Sequence, residues 1–554
     1  AFGGLLFLVL IVFTHPIDIA RSEEDTPPSD ADLASFNRTS FPPDFIFGAS
    51  SSAYQYEGAA NKRQPNIWDT FVKDFPDKIA DRSNGSIADE FYFRHQNDVT
   101  KIQNLGLDAF RISISWSRLI TYDGDGRAAP NCSGIKYYNN LIDELVNKSV
   151  VPFVTLFHWD TPQALEDKYE GFLNESIVND FVEYANICFC LFGDRVKHWV
   201  TFNEPHNFAG TGYATGQLAP GRCTTGLQYE YAFAVGRFSN SSQFCPKGNS
   251  GTEPYIVSHN ILVAHAAAVK LYRDKYKESQ KGKIGIVLNV DWLIPYNDKS
   301  SSDVMATERG FAFLFGWFMQ PIYNGTYPSV MHKYVGKRLK EFNRTESMML
   351  RGSYDFLGLN YYTAGYAMDV NCSTGPKNYY TDACVNITKE KDGKPIGPKT
   401  CSDWLYVYPQ GIGELMLYTK NKYSDPVIYV TENGFPTCNH GDLNDKRRIH
   451  YHFQHLKHLQ RLVSDEGGVE DATKKNKNVK GYLLWSLLDD FEWNSGYTVE
   501  FGIIQVNYTG GSLTRRCKHS AKWYSQFLLK PATECNLLSK KKNRYVVYFQ
   551  FLFS

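Results

Sequence analysis

No stretch of this sequence is apolar for long enough to cross a bilayer as a helix. Near the N-terminus the run Leu5 to Phe13 stops at nine residues. Charge of one sign is missing too. Lys and Arg number 59, and so do Asp and Glu, which argues against the basic face of a nucleic-acid binder and against a polybasic membrane protein. The eleven cysteines include no CxxC pair, so neither a zinc site nor a dithiol redox centre is indicated. No GxGxxG turn marks a dinucleotide cofactor. Glycine and proline are ordinary in amount, which excludes collagenous or disordered composition.

What is present is a hydrophobic content of 43% with 15% aromatics, enough for a large core and for flat apolar faces turned to a ligand. The short apolar run, then polar residues and Ala20, has the form of a secretory signal over residues 1–20 that lacks its Met and basic start. Eleven Asn-X-Ser/Thr sequons fit the same route: Asn37, Asn84, Asn131, Asn147, Asn174, Asn240, Asn324, Asn343, Asn371, Asn386 and Asn507. The expectation is a glycoprotein of the secretory pathway, in the apoplast, a vacuole or a body derived from the endoplasmic reticulum. Cys188 and Cys190 lie in an apolar helical stretch and are expected to be buried thiols. Cys223 and Cys245 bracket a polar loop and are the best disulfide candidates. The tail 531–554, rich in apolar residues, has no assigned role.

Eight short runs rich in β-branched and aromatic residues recur along the chain: "DFIFGAS", "DAFRISISW", "VPFVTLFHW", "HWVTFNE", "KIGIVLNVDW", "YDFLGLNYY", "PVIYVTENG" and "VKGYLLWSL". Between most of them lie segments with helical apolar spacing, such as "GIKYYNNLIDELVNKS". The runs are continuous rather than alternating, as parallel strands covered on both faces are. The rhythm predicts an α/β fold, a single-domain (β/α)8 TIM barrel with elaborated βα loops, over residues 36–530.

Barrel enzymes keep their chemistry at the C-terminal ends of the strands. Those ends offer Gln55 and Glu57, Arg111, His158, Asn203 with Glu204, Asn360 with Tyr362, Glu432 with Asn433, and Trp485. Two carboxyl groups facing each other across a pocket suit glycoside hydrolysis, one protonated to release the leaving oxygen and one ionised. Arg111 beside Glu432 would keep it anionic, and a less compensated Glu204 would keep its proton. Taken singly, "NEP" also reads as a solvated strand end and "TENG" as a turn.

"TFNEP" and "VTENG" together resemble the two catalytic signatures of glycoside hydrolase family 1, in its plant β-glucosidase form. "FIFGASSSAYQYEGA", "FRISISWSR", "PFVTLFHWDTPQALED", "APGRC", "GNSGTEPYIVSHN", "DFLGLNYYT", "WLYVYP" and "WSLLDDFEWNSGY" resemble it in order. The resemblance implies Glu204 as acid/base and Glu432 as nucleophile, with Arg111 and Tyr362 orienting the nucleophile. It implies sugar contacts from Gln55, His158, Asn203, Tyr362, Trp485, Glu492, Trp493 and Phe501, and Trp404 as a wall for the aglycone. It also implies the Cys223–Cys245 bridge. No metal or organic cofactor is expected; the expected partner is a small β-glucoside, with no nucleic acid and no stable membrane insertion, and homo-oligomerisation stays open. Glu500 stands where the family commonly has Arg, which reverses a charge near the rim.

The expected function is a secreted, retaining O-β-glucosidase acting on glucosides of plant specialised metabolites. Second stands a myrosinase-like thioglucosidase, disfavoured because Glu204 is kept and the loop "PHNFAGTGYATG" carries no Lys or Arg. Third is a carbohydrate-binding glycoprotein without catalysis.

Overall fold

A computed structural model describes residues 27–124, 126–226, 244–372, 377–464 and 475–529. The expected signal segment 1–20, the sequon at Asn240 and the tail 531–554 lie outside the described residues.

Eight parallel strands close into a barrel: β1 (Ile46–Ser50), β2 (Ala109–Ser113), β3 (Val151–Phe157), β4 (His198–Asn203), β5 (Lys283–Asn289), β6 (Phe356–Asn360), β7 (Ile428–Glu432) and β8 (Val479–Leu484). Each falls within one of the eight runs read from the sequence. β1 pairs with both β2 and β8, so the sheet has no edge to protect. Helices such as Cys132–Asn147 and Ser176–Phe192 alternate with the strands. Helix Cys132–Asn147 buries Tyr137, Tyr138, Leu141, Ile142 and Leu145, a stripe at helical spacing.

Inside the barrel, one side chain from each of seven strands forms a closed apolar layer: Ala109, Phe153, Val200, Val287, Phe356, Tyr429 and Leu483, with Ile46 of β1 packed against it. This layer plugs the barrel below the strand ends, so any pocket must open above it. The connection after β6 is one of the elaborated ones. It supplies strands Ala364–Asp369 and Val385–Thr388 to a small sheet with Trp292–Pro295.

Three disulfides close loops in the described residues: Cys223–Cys245, and two that the sequence did not pair, Cys372–Cys384 and Cys401–Cys438. The expectation of two buried thiols in helix Ser176–Phe192 holds for Cys188 and fails for Cys190, which is exposed. Two residues along a helix turn a side chain by about 200°, so both cannot face the core. None of the ten described sequon asparagines is buried.

Candidate active site

Side chains alternate along a strand, so the residue two beyond the plugging layer also points inward. That places Arg111 above Ala109 on β2 and Thr155 above Phe153 on β3. Asn203 and Glu432 have the wrong parity, each three residues beyond an inward neighbour, Val200 and Tyr429. Register shifts correct this. β4 slips against β5 between Val200 and Asn203, and β7 slips against β6 between Val430 and Glu432. Each irregularity re-aims one polar side chain into the barrel mouth.

Arg111 is fully buried and holds the centre together. It donates Nη1 to Glu432 Oε1 at 2.5 Å, Nη2 to Asn203 Oδ1 at 2.6 Å and Nε to Thr155 Oγ1 at 3.1 Å. Glu432 Oε2 accepts from the Tyr362 hydroxyl at 2.9 Å. Burial pushes Glu432 up to about 7; the Arg111 cation opposes the rise and the Glu204 carboxylate adds to it. The two carboxyl groups are thus close enough for the charge of one to act on the other.

Glu204 sits just after β4 with φ 45° and ψ 57°, a left-handed backbone that a side chain adopts at a cost. Pro205 then opens helix Pro205–Tyr213 at the first position, where its missing N–H is harmless. Asn207, one turn into that helix, donates to Glu204 Oε2 at 2.7 Å, and Asn360 of β6 donates to Oε1 at 2.7 Å. Asn360 is itself held by Thr431, and Asn207 by Asn289. Glu204 thus receives neutral amide donors, Glu432 a guanidinium and a phenol.

A narrow pocket opens over this pair. His158, Trp159, Asn203, Glu204, Tyr362, Trp404, Glu432, Trp485, Glu492, Trp493 and Phe501 line it. Burial, with Arg111 second, drives His158 well below its usual range, so the ring is neutral. Its Nε2 lies 3.0 Å from Asn203 Nδ2 and accepts from it, which leaves the proton on Nδ1. Trp485 donates its indole N–H to Glu492 Oε2 at 3.3 Å. Tryptophan faces beside a fixed carboxylate are what a sugar ring needs, apolar underneath and hydrogen-bonded at the edge.

Two of the expected contacts stand apart from the lining. Arg111 lies beneath it. Gln55 is fully buried, accepting from Ser52 at 2.6 Å and donating to Asp490 at 3.0 Å. Glu57 pairs with Arg118 at 2.8 Å, away from the pocket. Asn433 is no turn residue: its amide donates to the Tyr361 carbonyl and accepts from the Tyr482 hydroxyl, each at 2.7 Å. A Cβ on Gly434 would meet the Trp485 carbonyl oxygen at 2.0 Å, so close packing demands the glycine there. Glu500 is buried rather than at an open rim, accepting from Lys518 and bonded to His440, each at 3.0 Å. The sequence reading missed Trp159 and Asn207 and gave Asn360 no role. The i, i+3 spacing of Glu204 and Asn207 on a helix was the available signal.

The pattern for glycosyl hydrolase family 1 matches residues 37–531. β-Glucosidase 12 of Arabidopsis thaliana is 48% identical over 530 residues, 95% of this chain and 98% of its own length. A rice β-glucosidase variant, solved in a covalent complex with glucose, is similar with a TM-score of 0.82 and 42% identity, over 89% of this chain and 100% of that one. An aphid myrosinase is similar at a TM-score of 0.76 and 33% identity, over 88% of this chain and 98% of that one.

Proposed function

The chain belongs to glycosyl hydrolase family 1 and acts on O-glycosyl bonds, and from that premise we propose a retaining β-glucosidase with Glu432 as nucleophile and Glu204 as acid/base. The chief support is the unequal company of the two carboxyl groups. Arg111 and Tyr362 stabilise and aim an anion at Glu432, while Asn207 and Asn360 give Glu204 donors without charge. In the first step Glu432 attacks the anomeric carbon and Glu204 passes its proton to the departing oxygen, releasing the aglycone as an alcohol. Esterification removes the charge on Glu432, so Glu204 ionises more readily. It then takes a proton from water, which displaces the ester, frees glucose with its β configuration and restores both groups.

Glu492, held by Trp485, is suited to paired hydroxyls at the far edge of glucose, and Trp404 to aromatic or terpenoid leaving groups of plant specialised metabolites. The disulfides and the accessible sequons support passage through the secretory pathway. Endoglycosidase digestion of the plant-made protein, with mass measurement, checks that part.

A 2-fluoro-glucoside tests the mechanism. It is expected to label Glu432 covalently, and Glu432→Gln to lower kcat by about four orders of magnitude or more. A Glu432→Gln enzyme as active as the parent would sink the assignment. Faster turnover of a glucosinolate than of an O-glucoside would move the chain to the thioglucosidases.

A further inference from the structure

Trp404 sits within a turn, residues 399–405, that is largely closed on itself. Thr400 donates its N–H and its hydroxyl to the Leu405 carbonyl at 3.2 and 2.9 Å, and Leu405 N–H donates to Ser402 O at 3.1 Å. The stem below is pinned, because Thr363 Oγ1 donates to Tyr406 O at 2.7 Å and accepts from Tyr406 N–H at 3.1 Å. Such a turn keeps its internal bonds if it tilts as a body, and Trp404 would travel with it.

The Cys401–Cys438 bridge joins this turn to a different element, the segment after β7. That segment is itself anchored. Thr437 and Glu500 exchange two backbone hydrogen bonds, of 2.9 and 2.8 Å, and Lys518 donates to Glu500 from below. Phe501, next to Glu500, lines the pocket, and Cys438 packs in one apolar cluster with Tyr362, Trp404, Trp485 and Phe501. Trp404 in turn meets the Tyr362 ring edge-on, 5.6 Å between centroids.

We infer that the Cys401–Cys438 disulfide, seated on the Glu500 anchor, is a specificity-determining clamp that fixes Trp404 and so selects bulky aromatic aglycones. The inference rests on the β-glucosidase reading. Neither cysteine lines the pocket, so the clamp acts by position. Removing it should leave the sugar side and the carboxyl pair as they are.

The test is the full-length Cys401→Ser/Cys438→Ser enzyme, assayed on an aryl β-glucoside and on methyl β-glucoside. Expected are a rise of about tenfold in KM for the aryl substrate with kcat kept, and a methyl glucoside kcat/KM within about twofold of the parent. In a Trp404→Ala background the two serines should add nothing further, since they act through that ring. Equal losses on both substrates, or full additivity with Trp404→Ala, overturn the clamp. If the serine variant is not obtained folded, the Cys401→Ala/Cys438→Ala enzyme, which breaks the same bridge without adding a hydroxyl to the apolar cluster, gives the same readout. Fluoro-glucoside labelling separates the two readings. No label on the parent defeats the glucosidase assignment, whereas labelling with an unchanged aryl preference defeats the clamp alone.

Discussion

Replacing Arg111 by lysine keeps a positive charge and removes a fork. The guanidinium reaches three partners on different sides, Glu432, Asn203 and Thr155. An ammonium on a shorter stem is a point charge and cannot serve all three at once. If the Glu432 contact survives and the other two lapse, each at about 1–1.5 kcal/mol, the loss is about 2–3 kcal/mol, or roughly 30- to 150-fold in kcat/KM. The pH profile gives an independent reading. Glu432 stands at about 7 with Arg111 pulling it down. The proposed nucleophile Glu432 must be ionised, so on that assignment activity falls as pH drops through that value, and a weaker cation moves the acid limb upward. The assay is kcat/KM for 4-nitrophenyl β-glucoside across the stable pH range. An Arg111→Lys enzyme within about threefold of the parent, with its acid limb unmoved, would refute the idea that guanidinium geometry aims the nucleophile.

Lys518 is fully buried and donates to Asp489 at 2.7 Å as well as to Glu500 at 3.0 Å. Lys518→Met leaves two carboxylates without their shared cation, and denaturant unfolding should record a loss of about 3–5 kcal/mol. Asp160 is buried, and desolvation pushes it up to about 8. The folded protein therefore holds a proton there that the unfolded chain has released. This stabilisation is complete below the ordinary carboxylate value near 4 and drains away as pH rises to about 8. Asp160→Asn should accordingly gain on the parent by up to roughly 1.4 kcal/mol per pH unit over that window, read from urea midpoints; a gap constant with pH contradicts it.

Strand positions were legible because each barrel strand lies in a short run rich in apolar, β-branched or aromatic residues, whatever its partners. The polar strand ends were legible for the same reason. Their aim was not. By simple alternation from Val200 and Tyr429, Asn203 and Glu432 would face the helices, and only the slips against β5 and β6 reverse this. Those slips depend on neighbouring strands, which a linear pattern does not contain. Cys401 and Cys438 were equally silent, since a separation of 37 residues says nothing about which loops meet. Gln55 fell within a recognisable motif, yet the Asp490 carboxylate that receives one of its N–H groups lies 435 residues away and was not legible.

The left-handed backbone at Glu204 carries a cost that the side chain's two hydrogen bonds offset. Glycine adopts that conformation freely, whereas a residue with a Cβ bears about 1–2 kcal/mol for it. Glu204→Gly would relieve that backbone cost but leave the buried Asn207 and Asn360 amides without their acceptor, at about 1–3 kcal/mol each, while removing the proposed acid/base. Selection for heat resistance alone would therefore keep a side chain that hydrogen-bonds to these amides, glutamate or its amide, so a screen for hardier forms of this enzyme still has to read turnover alongside melting.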